Sequence, residues 1–165
     1  MGERPLDHVL RHNTWANAAL IGFCRGLEPA THSSAASPGT YGTIERTLQH
    51  LVGAEQWYTQ LLTGELLGPR LRRDGPPPAI DVLAQVAART GERILAVAET
   101  DDPARPVDMN EGRKSTVGVI LAQLVHHGNE HRTQITTILG ANGIEPPPLS
   151  AWAYGRATQT SEAEE

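Results

Sequence analysis

Four segments of the chain carry apolar residues at three- and four-residue steps, and glycine or proline bounds each of them. This spacing places the apolar side chains on one face of an α-helix. The segments cover about 6–27, 43–62, 80–97 and 116–139, and three consecutive prolines at 76–78 exclude a helix between the second and the third. Four amphipathic helices in one chain of 165 residues predict an all-α protein with a four-helix bundle.

The connections between these segments are rich in glycine, proline and serine, which is typical of loops. Residues 31–42 and 70–78 are predicted to be loops, 107–112 a short hairpin before the last long helix, and 149–154 a short helix over one end of the bundle. We expect a single helical domain over 1–157 and a disordered polar tail over 158–165. The long connections leave room for crossovers between the helices.

The amino-acid composition of the chain indicates which kinds of binding partner to expect. Acidic and basic residues are interspersed and give a net charge of −5, whereas nucleic-acid binding requires a basic surface. Arg70, Arg72 and Arg73 form a basic cluster that we interpret as part of a solvated loop. No stretch reaches the roughly 18 apolar residues of a membrane span, and the N-terminus lacks the apolar core of a signal peptide. We therefore expect a cytoplasmic protein that contacts neither membrane nor nucleic acid.

Two pairs of histidines have the spacing i, i+4, which puts both imidazoles on one face of a helix. Such a pair can bind one cation with both rings, at Zn–N distances of about 2.0–2.1 Å. His127 and His131 lie in the middle of the apolar face of the fourth helix, whereas His8 and His12 lie near the N-terminus without an obvious third ligand. Because both pairs have the same spacing, it is their position in the helix that favours His127 and His131 over His8 and His12 as cation ligands.

His50 occupies a comparable place on the second helix, one turn after Thr47 and one turn before Ala54. Three histidines that face one interior need partners, since a buried unpaired polar ring costs on the order of 1–3 kcal/mol. A shared metal ion would satisfy all three rings. The alternative is that each histidine lies separately in the core or at the surface, hydrogen-bonded to backbone or water. From the residues alone, both interpretations stay open.

Three short motifs resemble those of one known family. HNTWANAAL at 12–20 is similar to the start of that family's first helix, TIERTLQHLVGAEQWY at 43–58 to its second helix, and LVHHGNEHRTQI at 124–135 to its last long helix. The motifs stand in the family's order and span most of the chain. On this basis the sequence resembles the DinB/YfiT-like family of metalloenzymes.

This resemblance implies a four-helix bundle, usually a homodimer, with one divalent metal ion held by His50, His127 and His131. Three imidazoles leave a fourth coordination position for water or substrate, as at catalytic sites. Nitrogen ligation suits zinc, nickel or iron.

Polar residues near the expected ligands are candidates for contacts with a small-molecule substrate, namely Arg132, Asn13 and Gln134. For Arg132 a salt bridge with a neighbouring acid is the more ordinary role. No catalytic residue is assigned. Glu55 would be a candidate general base if its side chain turned inward, although a solvated charge is the more common state for glutamate.

The family includes thiol transferases and isomerases that use bacillithiol or mycothiol. A metal ion lowers the pKa of a thiol and so favours the nucleophilic thiolate. The resemblance therefore implies a metal-dependent transferase that activates a low-molecular-weight, mycothiol-like thiol against small electrophiles. The alternative is a non-catalytic metal-binding or stress-response module whose metal is structural.

Overall fold

Six helices and one two-stranded hairpin make up the part of the chain that this computed structural model describes, residues 4–33, 39–110 and 112–162. The predicted all-α fold is confirmed. None of the described helices is long and apolar enough to cross a membrane. In chain order the elements are α1 (Pro5–Arg25), α2 (Pro29–His32), α3 (Ile44–Thr63), α4 (Ile80–Thr100), β1 (Pro106–Asp108), β2 (Lys114–Thr116), α5 (Val117–Ala141) and α6 (Ala151–Glu162).

Side-chain caps and glycine set the ends of the two helices that carry the candidate ligands. The Thr43 hydroxyl accepts a hydrogen bond from the Arg46 N–H at 3.3 Å and so caps α3, and Thr116 does the same for α5 through the Val119 N–H at 3.4 Å. Gly64 ends α3 with a φ of 78°, in the left-handed region that glycine adopts without strain. Both helices therefore begin where the sequence predicts.

The four long helices form a bundle in which sequence neighbours are not always spatial neighbours. Helix α1 packs mainly against α4 and α5, and α3 also packs mainly against α4 and α5. Helix α1 therefore lies diagonally opposite α3, and α4 lies opposite α5. The connections from α1 to α3 and from α4 to α5 cross the end of the bundle, which explains their length.

Buried apolar residues form two clusters, and a set of polar residues separates them along the bundle. Along α3, Val52 belongs to one cluster and Tyr58 to the other, with Glu55 between them. Along α1 and α5 polar residues also lie between the two clusters, which follow each other in the reverse chain order. We call the separating residues the polar layer: Asn13 and Asn17 on α1, Glu55 on α3 and Arg132 on α5.

Outside the bundle the structure refines several predicted boundaries. The hairpin is present, and its antiparallel strands pair Val107 with Ser115. The loop predicted from residue 31 begins inside the single turn of α2, and residues 34–38 lie outside the described residues. Helix α6 extends well beyond Tyr154, so residues 158–162 of the predicted tail are helical, while 163–165 lie outside the described part. The division into one domain over 1–157 stays a prediction.

Helices α1 and α4 approach closely where Gly91 faces Thr14. A β-carbon at Gly91 would lie 2.4 Å from Thr14 Cγ2. We expect Gly91→Ala to lower the free energy of unfolding. Overpacking costs about 1–3 kcal/mol, whereas the higher helix propensity of alanine stabilises the helix by at most about 1 kcal/mol. Urea denaturation measures the change. Gly22→Ala, where a β-carbon meets nothing within 4 Å, is the control, and equal effects of the two substitutions would contradict the close approach.

Candidate metal centre

The three histidines expected as ligands meet between α3 and α5. The Nε2 atom of His127 lies 3.2 Å from Nε2 of His50 and 3.1 Å from Nε2 of His131. One ligand atom from each ring falls within 4.8 Å of the others, and among the described residues no cysteine or carboxylate completes this group. Two neighbouring helices therefore bring three ring nitrogens to one point.

A hydrogen bond fixes the tautomer of one of these rings. Nδ1 of His131 lies 2.8 Å from the amide oxygen of Gln134, so Nδ1 carries the proton and donates it. When the ring is neutral, Nε2 of His131 then carries a lone pair that faces the other two histidines. This is the state in which imidazole binds a metal ion.

The environment keeps the rings of His50 and His127 neutral. Burial, His131 and the nearby Arg73 guanidinium lower the pKa of His50 to about 4. Burial and the two neighbouring histidines lower the pKa of His127 to about 4. At pH 7 His50 and His127 therefore present neutral imidazoles, as metal ligation requires.

Hydrogen bonds within the cluster cannot satisfy three imidazoles that are all neutral, which is the state that metal ligation requires. Nε2 of His127 can donate to one of its two neighbours and leaves the lone pair of the other without a donor. In addition, Nδ1 of His127 is buried without a hydrogen-bond partner among the described residues. A cation at the point where the Nε2 atoms converge would accept all three lone pairs. The residues present thus fit a divalent metal ion.

Tyr41, in the loop before α3, supports two of the candidate ligands. Its ring stacks on His50 at a centroid distance of 4.1 Å and an interplanar angle of 6°, and it meets the edge of His131 at 5.5 Å. Its backbone N–H donates to the Gln134 side chain at 3.1 Å. Sequence reasoning missed Tyr41, since a loop residue carries no periodic signal.

The polar layer connects three helices through one chain of hydrogen bonds. Nη1 of Arg132 donates to the side-chain oxygens of Asn13 and Asn17, both at 2.7 Å. The amide groups of Asn13 and Asn17 in turn donate to Oε1 of Glu55 at 2.9 and 2.7 Å. All four residues are at most 4% exposed. The two amides therefore link a buried guanidinium to a buried carboxyl group.

Burial raises the pKa of Glu55, while the two asparagine donors and the charge of Arg132 act in the opposite direction. Glu55 does turn inward, so its interpretation as a solvated charge is wrong. Its carboxylate is occupied by the two asparagines, and the sequence pattern did not indicate that network.

The residues predicted to contact substrate are all engaged with other parts of the protein. Arg132 and Asn13 belong to the polar layer, and Gln134 orients His131 and receives the Tyr41 N–H. A substrate contact by any of the three stays a prediction. Within the described residues Arg132 forms no direct salt bridge with an acid, and it is linked to Glu55 only through Asn13 and Asn17.

The remaining histidines lie apart from the cluster. Nε2 of His12 is 2.8 Å from the carbonyl oxygen of Leu149, and its ring packs against Trp15 and Tyr154. His126 is exposed. Among the described residues, only the three candidate ligands form a group with metal-binding geometry.

The fold and the site define a helical-bundle protein with a three-histidine candidate metal centre. The model of the DinB family matches residues 1–164, and the chain therefore belongs to the DinB family. It is 22% identical to Protein DinB of Bacillus subtilis (strain 168), over 94% of this chain and 96% of that protein. A crystal structure of a DinB-like protein from Bacillus cereus ATCC 10987 shares the fold, with a TM-score of 0.66 at 19% identity over 84% of this chain and 91% of that one.

Proposed function

We propose that the protein binds one divalent metal ion, zinc, nickel or iron, through His50, His127 and His131, and that it transfers a low-molecular-weight, mycothiol-like thiol to small electrophiles. The convergence of three imidazole nitrogens without a fourth ligand among the described residues carries the metal part of the proposal. A three-nitrogen set leaves an open coordination position, which is the arrangement of catalytic metal sites rather than closed structural ones.

In this reaction the main role of the chain is to position the metal ligands. When bound, a divalent ion would lower the pKa of a thiol and so raise its thiolate fraction at neutral pH. The sulfur forms a bond to the electrophilic carbon, the leaving group departs with the electrons of the broken bond, and the thiol proton passes to solvent. His131 is held for this purpose by Gln134, and His50 by the stacked ring of Tyr41. The choice of a thiol rests on the motif resemblance.

The reaction is tested with the full chain, purified without a histidine tag and loaded separately with zinc, nickel or iron. Mycothiol or bacillithiol is incubated with monobromobimane, and conjugate formation is followed by chromatography. We expect a rate above the uncatalysed one, and loss of that excess in His131→Ala. A protein that binds stoichiometric metal but accelerates neither thiol would instead be a non-catalytic metal-binding module.

The resemblance also supports a homodimer that acts on small molecules. The interspersed charges and the N-terminal sequence, which lacks the apolar core of a signal peptide, are the basis for proposing a cytoplasmic protein that does not bind nucleic acid. The exposed face of α6 offers Trp152, which is 82% exposed, as one apolar contribution to such an interface. A monomer by light scattering at micromolar concentration would contradict the dimer.

A further inference from the structure

A cavity of about 280 Å³ lies directly beside the three-histidine cluster. His50 and His127 form one side of it, Trp57 and Leu71 supply apolar walls, and Arg73 contributes a guanidinium. No aspartate or glutamate borders the cavity among the described residues. Its lining is therefore mostly apolar, with Gln49 and Tyr58 as further polar side chains and Arg73 as its single guanidinium, and two of the candidate metal ligands border it.

Buried glutamines of α3 hold the loop that carries Arg73. Nε2 of Gln49 donates to the carbonyl oxygen of Arg72 at 2.8 Å. Oε1 of Gln56 accepts the Leu71 N–H at 3.0 Å. Both glutamine side chains belong to residues only 3% exposed. The backbone immediately before Arg73 is thus fixed to the same helix that presents His50.

The Arg73 side chain is oriented by an aromatic residue rather than by an acid. Its Nε donates to the Tyr41 hydroxyl at 2.9 Å, and its guanidinium carbon lies 5.5 Å from the Tyr41 ring centroid. Tyr41 in turn stacks on His50. Within the described residues no carboxylate pairs with Arg73, whereas the neighbouring Arg72 pairs with Asp74. Arg73 therefore keeps its remaining donors available beside the cavity.

Arg132 is unsuited to this role despite its position next to His131. It is 4% exposed, and its Nη1 atom donates to two asparagines of the polar layer. An incoming anion would have to displace those bonds and separate Arg132 from the buried Glu55. Arg73, by contrast, is exposed and borders the cavity.

We propose that this cavity binds a small organic acid, with its carboxylate on Arg73, its apolar body between Trp57 and Leu71, and its reacting end toward the histidines. The planar guanidinium matches the geometry of a carboxylate, and the cavity admits a molecule of about a dozen non-hydrogen atoms. The proposal rests on the proposed function, since it treats the histidine cluster as the reacting centre. It assigns the anion-binding group to the loop after α3 instead of to α5.

The test compares two probes of the same shape, 3-phenylpropionate and its uncharged amide, by isothermal titration of the full chain with and without zinc. We expect the acid to bind about tenfold more tightly than the amide, since a hydrogen bond to a charged group adds more than a neutral one. Arg73→Gln should remove this preference without changing zinc stoichiometry or thermal stability. Arg72→Gln, in the same loop, should retain it.

Failure of this inference and failure of the proposed function give different results. Equal binding of acid and amide by the wild type, no binding of either, or an unchanged preference in Arg73→Gln would overturn the carboxylate site even if zinc binds. If the protein takes up no zinc, the metal-dependent function fails, and the titration of the metal-free protein still decides the role of Arg73.

Discussion

His50→Ala and His131→Ala are each expected to abolish stoichiometric metal binding. Structural zinc sites in zinc-finger peptides bind with about 10–16 kcal/mol from four protein ligands. On that scale the loss of one of three ligands costs several kcal/mol, which is a reduction in affinity on the order of 100-fold or more. Elemental analysis of tag-free protein, dialysed after purification, measures the metal content. One equivalent per chain in the wild type and almost none in either variant is the expected result.

His126→Ala is the matched control, because His126 neighbours His127 in sequence but is exposed on another face of α5. It should retain one equivalent of metal. Circular dichroism of all variants separates loss of the site from loss of the fold, which matters for His131 because it is 5% exposed. If both His50→Ala and His131→Ala kept their metal, the ion would have to lie elsewhere in the protein.

Local rules were enough to predict the part of this site that lies on one helix. The spacing of His127 and His131 is a property of helix geometry, and their position on the apolar face indicated that they point inward. Placing His50 opposite them needed two further facts, its own position on a helix face and the order of the three motifs. The helices themselves were predictable because their capping residues and the spacing of their apolar residues involve only positions that are close in sequence.

The groups that sequence analysis missed or misjudged depend on contacts between distant residues. Tyr41 and Arg73 lie in loops, where no periodicity indicates the direction of a side chain. Glu55 and Arg132 are 77 positions apart, and both reach the interior only because the asparagines of α1 bridge them. Burial of a charge is decided by such partners. A pattern along one helix cannot reveal them.

Arg132→Met is expected to destabilise the protein by about 3–5 kcal/mol. Removing one member of a buried charged pair leaves the other without compensation. Here Glu55, which is 3% exposed, would keep its two asparagine donors but lose the positive charge behind them. The free energy of unfolding from urea denaturation at pH 7 measures the effect. A change below about 1 kcal/mol would show that Arg132 does not balance Glu55.

A second substitution and a pH series test the cause. Adding Glu55→Gln to Arg132→Met should recover much of the lost stability, because it removes the uncompensated carboxylate while keeping an acceptor for the asparagines.

Burial already raises the pKa of Glu55, and loss of the guanidinium raises it further. The folded variant therefore binds more protons than the unfolded chain, so its stability should fall as pH rises above the ordinary glutamate range. The deficit of Arg132→Met relative to wild type should accordingly shrink toward acid pH. The deficit of the double variant relative to Glu55→Gln, in which this carboxyl group is absent from both proteins, should stay nearly constant. A deficit independent of pH in both would point to lost packing of the arginine stem instead of lost charge.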